Sequence, residues 1–579
     1  MSNMIQNAKD SISALLQAAC ERAAEKGQLP AGAVLSGTVE IPKDTQNGDY
    51  AANHAMTGAR ALHMAPRKIA EALVENLDLN GTWFSSVEVA GPGFINFRLA
   101  PGWYADVLSC VSQEGDDYGR VDEGQGRRVM VEFVSANPTG PMHMGNARGG
   151  VLGDALSSVL DRAGYRVWRE FYVNDAGNQI EKFASSIDAR YRQLLLGEDA
   201  VAFPADGYQG EDIRELARAF FEEYGDSYLE KDVAERHEAM AKFGLERNIP
   251  KMQADLKRYG VEYDEWFFES SLHESGFVAD TVAKLTERGY TYEKDGALWL
   301  KTAQILSENL LKAGKKQAEI DKLDLKDDVL KRANGFYTYF AADIAYHRNK
   351  LEKRGFDCAV NVWGADHHGH VARLKGALDA LGLDGEHRLH IVLMQLVKLM
   401  SDGQEVRMSK RTGKAISLTN LLDDIPVDSA RYFFNSRAES PVLFDLELAQ
   451  RQDNENPVYY VQYAHARICT LIDNLAAEGH AVPESIDASL LSDETEKELI
   501  KQLAALPEEI RLAARDYDPS RVNKYVTELA ARFHRFYTVC RIKDAEPGLL
   551  EARLLLADCV RRVIEVSLAI IGVSAPERM

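Results

Sequence analysis

Residues 131 to 164, VEFVSANPTGPMHMGNARGGVLGDALSSVLDRAG, run an apolar strand into a Gly/Pro loop and then into a helix, an order that fits a phosphate-holding α/β unit. Val129 to Phe133 is predicted as a buried strand and Asn137 to Pro141 as turn chemistry. Ala147 to Ala163 is predicted as a helix whose unpaired N–H groups and positive dipole end face the loop. His143 then stands where a nucleotide's phosphates would lie. The tetrapeptide HMGN alone is weak evidence, since a His before a helix is as readily a cap or a solvated side chain.

A second segment adds weight. VRMSKRTGK, residues 406 to 414, gathers Arg407, Lys410, Arg411 and Lys414 in one short polar stretch with Ser409, Thr412 and Gly413. Taken alone such a run is a solvated charge cluster. Paired with a helix start it suits a polyphosphate: one donor set is fixed, and the other closes over a departing pyrophosphate.

With these two segments the chain resembles the class I aminoacyl-tRNA synthetases, HMGN standing for their HIGH-type signature and RMSK for their KMSK-type signature. WGADHHGH, residues 363 to 370, fits the GxDxxxH pattern that meets adenosine in that class. A metal cluster is the alternative for so many His and Asp, but no second ligand-rich segment pairs with it. Further matches resemble the arginyl-tRNA synthetase family nearly end to end: AGPGFINFRL (90 to 99), YGVEYDEWFFESSL (259 to 272), YFAADIAYH (339 to 347), NPVYYVQYAHARI (456 to 468) and APERM (575 to 579).

The resemblance implies a multidomain α/β fold. Its parts would be a Rossmann-type parallel-sheet catalytic core, a small α+β N-terminal domain, a helical insertion and an all-α C-terminal anticodon-binding bundle. It also implies ATP-dependent ligation of L-arginine to the 3′ end of arginine tRNA through arginyl-adenylate. Catalysis would fall to His143, Asn146 and Lys410, and ATP to Gly145, Gly364, Asp366, His370, Met408, Ser409 and Lys410. Arginine would meet Glu132, Tyr339 and Asp343 at its guanidinium, with Asn137 and His367 near the α-amino group. A carboxylate inside VMVEFVS rarely goes without a partner, which favours Glu132 as a binding group over a strand-end residue facing solvent. For tRNA the candidates are Phe94 and Asn96 at the D-loop, and Tyr459, Tyr463 and Met579 at the anticodon. The plainer alternative for these residues is packing within their own domains.

Asn146 occupies a position where the family more often has a second His, which leaves open a catalytically silent tRNA-binding relative; Lys410 and Asp343 argue against it. Another nucleotidyl-transferring enzyme would explain the core but leave the terminal domains without a role. Mg²⁺ is expected with ATP as co-substrate, with no tightly bound metal or organic cofactor. The expected partners are ATP, L-arginine and arginine tRNA, with no membrane, and the chain is expected to act as a monomer.

The balance of 68 basic to 89 acidic residues, net charge −21, argues at first against a nucleic-acid partner. Phosphate contacts need only a local basic surface. Arg511, Arg515, Arg521, Lys524, Arg532, Arg535, Arg541 and Lys543, interleaved with Tyr525, Phe533, Phe536 and Tyr537, are the candidate for one; an amphipathic helix pair with a charged outer face is the plainer reading. Six cysteines without CxxC spacing read as reduced core residues. No signal peptide or membrane span is evident, so a soluble, cytoplasmic protein is expected.

Changes in composition and patterning place boundaries near residues 118 and 435 and a helical insertion at about 191–297; the resemblance makes 1–118 an N-terminal tRNA D-loop-binding domain, 119–435 the catalytic domain and 436–579 an α-helical anticodon-binding domain. The core is expected to resume with strands at Thr338 to Phe340 and Ala359 to Trp363 and a helix from His370 to Leu381. Val461, Ala464, Ile468, Leu471 and Leu475 recur at helical spacing, Asp518-Pro519 is expected to open a long helix, and the last helix is expected over Leu549 to Ile571 with Gly572 ending it.

Overall fold

The central element is a five-stranded, wholly parallel sheet in the order Leu389–Met394, Cys358–Gly364, Arg128–Glu132, Arg166–Val173, Glu265–Phe268. The computed structural model describes residues 3–406 and 416–579. Strand residues alternate between two cores, as a pleated strand buried on both sides must. Val360 and Val362 join one apolar cluster, while Ala359 joins a second with Ile344, Ala345, Leu374 and Ala377 from the helices Tyr339–Arg348 and His368–Ala380. The helix Met144–Arg162 packs against the first face.

In sequence the chain lays down Arg128–Glu132, moves outward to Arg166–Val173 and Glu265–Phe268, then returns to the other side with Cys358–Gly364. The strand order therefore reverses beside Arg128–Glu132. Such a switch point opens a crevice at the carboxyl ends of the strands, where ligands of open α/β sheets bind.

Two expectations need correction. Thr338 to Phe340 is not a strand: the Thr338 hydroxyl accepts the Ala341 N–H at 3.3 Å and caps the helix that starts at Tyr339. The region 191–297 is not uniformly helical either. Its helices Glu211–Tyr224 and Val233–Arg258, with Asn178–Leu196, bury their own small core around Phe183, Tyr191, Phe220 and Phe243. Past them, Glu265–Phe268 rejoins the central sheet as its edge strand.

At the N-terminus a four-stranded antiparallel sheet, ordered Val39–Glu40, Tyr50–Ala52, Phe94–Leu99, Phe84–Ala90, packs with the helices Met4–Glu25, His54–Leu62 and Pro66–Glu75. The C-terminal region is a bundle of Pro457–Ala477, Glu494–Ala504, Leu506–Asp516, Ser520–Val539 and Leu549–Ile570. Asp518 accepts from the Ser520 N–H at 3.2 Å at the start of the long helix, and Gly572, at φ 65°, ends the last one in the left-handed conformation. The N-terminal domain touches this bundle directly: Lys501 Nζ lies 2.5 Å from Asp49.

Candidate active site

The strand Arg128–Glu132 leaves the sheet through two successive non-glycine residues in the left-handed region, Val134 at φ 68° and Ser135 at φ 43°. A β-branched residue rarely tolerates such a backbone, and strain of this kind persists only where the surroundings fix it. Here Ser135 Oγ donates to Glu132 Oε1 at 3.0 Å and accepts the Tyr172 N–H at 3.2 Å, tying the turn to its own strand and to the next.

The loop ends at His143, the N-cap of a helix that starts at Met144, three residues before the expected Ala147. The reason lies in Asn146: its Oδ1 accepts the His143 N–H at 2.9 Å, closing the first turn around Met144 and Gly145. His143 is exposed, and a side chain on Gly145 would meet nothing within 4 Å, so the helix start is open to a ligand. Ser417 forms an isolated antiparallel bridge with His143, and the Leu418 N–H donates to the Met142 carbonyl at 2.9 Å. Met408, Ser409 and Lys410 lie outside the described residues. One turn along the helix, the buried Arg148 guanidinium donates to the carbonyls of Gln395, Arg437 and Ser440 at 2.5 to 3.0 Å, and burial lowers its pKa to about 10.

Across the crevice the helix Tyr339–Arg348 ends in a π-helical turn, Asn349–Lys353, that carries the fully buried Lys350. Lys350 Nζ donates to Glu132 Oε2 at 2.5 Å and to Asn361 Oδ1 at 3.1 Å. The Asn361 amide reaches His347 Nε2 at 2.7 Å, and His347 Nδ1 reaches the Asp343 carbonyl at 2.8 Å. A carbonyl only accepts, so Nδ1 carries the proton and Nε2 accepts from Asn361. Burial, with the Lys350 cation adding to it, holds the His347 pKa well below the ordinary histidine value. Asp343 Oδ2 lies 3.0 Å from His370 Nε2, and His370 Nδ1 lies 3.2 Å from Arg373 Nη2.

Of these groups, Glu132, Ser135, His143, Asn146, Asp343, His347 and His370 line one cavity of about 800 Å³. Of the expected arginine contacts, Glu132, Asn137, Asp343 and His367 face it, together with His143 and Asn146 and with Gly364, Asp366 and His370. At Gly364 a Cβ would stand 2.5 Å from Asp366 Oδ1, the tip of an exposed side chain that can turn aside. Tyr339 does not share this cavity. It is 43% exposed and lines a neighbouring space of about 690 Å³ with Gly177, Glu269 and Phe336. Glu132, expected at the guanidinium, is bonded on both oxygens, by Lys350 and Ser135.

Several lining residues escaped the sequence reading: Tyr172, Tyr346, His347 and the loop Tyr208, Gln209 and Gly210, which brings the inserted helices to the cavity mouth. The signals for them are the YQG triplet of that loop and the segment YFAADIAYH, whose last two residues are Tyr346 and His347.

Two surface expectations are corrected. Phe94 is 37% exposed, but Asn96, expected as an open amide, is 3% exposed, because its strand lies between Tyr50–Ala52 and Phe84–Ala90 and Gly48 packs over its Cβ. The basic stretch 511–543 is an amphipathic helix pair: Tyr525, Phe533 and Phe536 are core, while Arg511, Arg515, Arg521, Arg532 and Lys543 pair with Glu508, Asp516, Glu509, Glu528 and Glu478. Elsewhere on the bundle, Tyr459 and Tyr463 stack at 6.1 Å, and Tyr463, Arg467, Tyr537 and Met579 line a cavity of about 1020 Å³.

Residues 7–99 match the family model described as the arginyl tRNA synthetase N terminal domain. Residues 107–463 match the class I (R) tRNA synthetase catalytic domain, and 461–579 the DALR anticodon binding domain. The arginine–tRNA ligase of Caldanaerobacter subterraneus subsp. tengcongensis is 52% identical over 582 residues, covering 100% of each chain. That of Acetivibrio thermocellus is 49% identical over 582 residues, again covering 100% of each. The solved Thermus thermophilus arginyl-tRNA synthetase superposes with a TM-score of 0.71 at 21% identity, covering 98% of this chain and 100% of that one, a likeness of fold.

Proposed function

The chain belongs to the arginyl-tRNA synthetase family of class I, its reaction is the ATP-dependent attachment of arginine to its tRNA, and we propose that the 800 Å³ cavity carries both halves of it. The observation that carries this reading is convergence. An open helix start, an acidic pocket and the glycine end of a core strand meet at one switch point of the sheet.

In the first half-reaction a carboxylate oxygen of arginine attacks the α-phosphorus of MgATP. The bond to the bridging oxygen breaks, pyrophosphate leaves, and arginyl-adenylate forms. His143 and the Asn146 amide stand at the helix start, where the backbone N–H groups and the dipole favour an anion; Lys410, with Met408 and Ser409, is assigned to the β and γ phosphates. Gly364, Asp366 and His370 are assigned to the adenosine. Asp343 is assigned to the guanidinium, with Tyr339 beside it; Glu132 acts from within its Lys350 pair, and Asn137 and His367 serve the α-amino group. In the second half-reaction a terminal ribose hydroxyl of tRNA attacks the arginyl carbonyl, AMP departs, and the hydroxyl proton is lost to solvent. Positioning and electrostatics suffice for both steps.

For tRNA, Phe94 on residues 1–118 is assigned to the D-loop, and Tyr459, Tyr463 and Met579 on residues 436–579 to the anticodon, where stacked rings offer a platform to an unstacked base. Residues 119–435 are taken as the catalytic domain. Among the described residues no helix is long and apolar enough to cross a membrane. A cytoplasmic monomer is the state in which we read the chain as working.

The test is ATP–pyrophosphate exchange with arginine supplied or withheld and tRNA present or absent. Exchange that needs both arginine and arginine tRNA is expected. Exchange supported equally by other amino acids would reject the reading.

A further inference from the structure

The antiparallel strands Ala297–Leu300 and Asp328–Lys331 pair directly, with Leu300 opposite Asp328, so a short turn could join them. The chain instead spends residues 301–327 on the connection and folds the helices Thr302–Lys312 and Gln317–Ile320 from it. The excursion is held firmly at its base. Asp327 Oδ1 accepts the Ala303 N–H at 3.0 Å at the start of the first helix, while Asp328 accepts from the Thr302 hydroxyl at 2.9 Å and from Arg373 at 2.6 Å. Farther along, the Asn309 amide donates to Asp379 at 2.7 Å. A Cβ on Gly376 would stand 3.2 Å from Ile305 and Leu306, so glycine there lets this helix lie close against His368–Ala380.

The two signs of charge in this connection are used differently. Besides Asp327 and Asp328, Glu308 accepts from Gln304, Glu319 from the Lys316 N–H and Asp321 from Gln317, and Asp324 pairs with Lys326. Lys312, Lys315, Lys316 and Lys322 are exposed, and among the described residues they form no ion pair. Gly314, at φ 84°, ends the first helix, and the Lys315 N–H donates to the Leu310 carbonyl at 3.0 Å, which gathers Lys312, Lys315 and Lys316 around one helix end. In the stretch 511–543, by contrast, Arg511, Arg515, Arg521, Arg532 and Lys543 each have a carboxylate partner. On a chain of net charge −21 the connection is a local positive surface.

The helix Thr302–Lys312 runs alongside His368–Ala380: its start is tied through Asp328 to Arg373, next to His370 at the main cavity, and Asn309 reaches Asp379 near the other end. From His370 to Asp379 is about 15 Å at the rise of an α-helix, which sets the distance from the cavity to the lysines. That lies within the span of an acceptor stem whose 3′ end enters the cavity. We propose that Lys312, Lys315, Lys316 and Lys322 dock the phosphate backbone of the tRNA arm that carries the 3′ end, a role that rests on the reading of the main cavity as the place that receives it. Ammonium groups on flexible stems supply charge without reading bases, so the surface adds affinity and no sequence preference. Residues 301–327 include no aromatic side chain, which favours a phosphate backbone over base stacking or a lipid interface.

The experiment measures binding of arginine tRNA, and of a minihelix made of its acceptor arm alone, to the full chain as salt is raised, for wild type and for Lys312→Ala/Lys315→Ala/Lys316→Ala/Lys322→Ala. The variant is expected to bind both RNAs at least fivefold more weakly at low salt, with the slope of log affinity against log salt reduced by about 2 to 3, since each lost phosphate contact removes roughly 0.7 to 0.9. The KM values for arginine and ATP should not move. The four Lys→Arg changes together should restore binding. Unchanged affinity and slope would overturn the proposal, as would a loss seen with whole tRNA but not with the minihelix, which would place the lysines on another arm. Anionic phosphatidylserine vesicles that bind wild type but not the variant, with tRNA binding unmoved, would overturn it in favour of a lipid surface. Arginine-dependent exchange by wild type separates the two claims: its absence fails the cavity reading, whereas intact exchange with unmoved tRNA binding in the variant rejects only the lysine surface. Should the fourfold variant fail to fold, Lys315→Ala/Lys316→Ala reads the same slope, and an unaltered slope there overturns the proposal.

Discussion

His370 Nε2 lies 3.0 Å from Asp343 Oδ2, so a residue expected at the nucleotide holds the carboxylate expected at the amino acid. The pair joins the two substrate ends of the cavity. Replacing Asp343 by Ala leaves a desolvated guanidinium without its charged acceptor and is expected to lower kcat/KM for arginine by about 3 kcal/mol, roughly a hundredfold. Replacing His370 by Ala is expected to raise the KM for arginine as well as for ATP. Steady-state aminoacylation with each substrate varied in turn checks both. An Asp343→Ala effect under about tenfold would show that the pocket is misplaced.

Asn146 has two functions that substitution can separate. Its Oδ1 caps the His143 N–H at 2.9 Å, while its amide nitrogen remains to donate to a phosphate. Asn146→Asp keeps the acceptor and loses the donor; Asn146→Ala loses both. Both are expected to slow adenylation by about ten- to a thousandfold with little change in ATP affinity. Only Asn146→Ala should also lower stability, by about 1 kcal/mol. Single-turnover exchange together with urea unfolding distinguishes the two, and a fast Asn146→Asp enzyme would reduce Asn146 to a helix cap.

The Lys350 and Glu132 pair is buried, and removing the cation alone strands a charged carboxylate. Lys350→Met is expected to cost about 3 to 5 kcal/mol of stability. In Lys350→Met/Glu132→Gln much of that loss should return, because no net charge is left inside. A double-mutant cycle by urea denaturation measures the coupling; additive losses would mean that the pair is not a unit.

Five histidines, His54, His347, His390, His465 and His534, have pKa values lowered by burial. Each stays neutral in the folded chain at a pH where the unfolded chain takes up a proton. The unfolded state thus binds more protons below about pH 6.5, and stability is expected to fall as the pH drops from there. Unfolding midpoints between pH 7.5 and 5 check the sign, and His347→Asn should flatten part of the slope. A midpoint that rises on acidification would contradict the buried, neutral assignment.

What the sequence made legible were features with a local cause. The strand before HMGN, the helix after it, the strand ending at Gly364 and the terminal helix stopped by Gly572 each follow from patterning or capping within a few residues. What it hid depends on distance. Lys350 sits in NKLEKR, which reads as a solvated run, and its partner Glu132 is 218 residues away. Nothing in VSAN announces a left-handed Val134, since only tertiary contacts hold it there. Thr338-Tyr-Phe has strand composition, yet the Thr338 hydroxyl found a helix to cap. The arginines of 511–543 resembled a nucleic-acid surface only until their carboxylate neighbours were placed beside them.

The central claim is that arginine and ATP meet in the one cavity between the Met144 helix start and Asp343. A crystal structure of the protein with arginine tRNA and a non-hydrolysable arginyl-adenylate analogue tests it most directly. The guanidinium is expected within hydrogen-bond distance of Asp343, the phosphate-mimicking group at the helix start beside His143 and Asn146, and the adenosine against Gly364. An analogue whose guanidinium lies away from Asp343, or whose phosphate mimic lies away from His143, would contradict it.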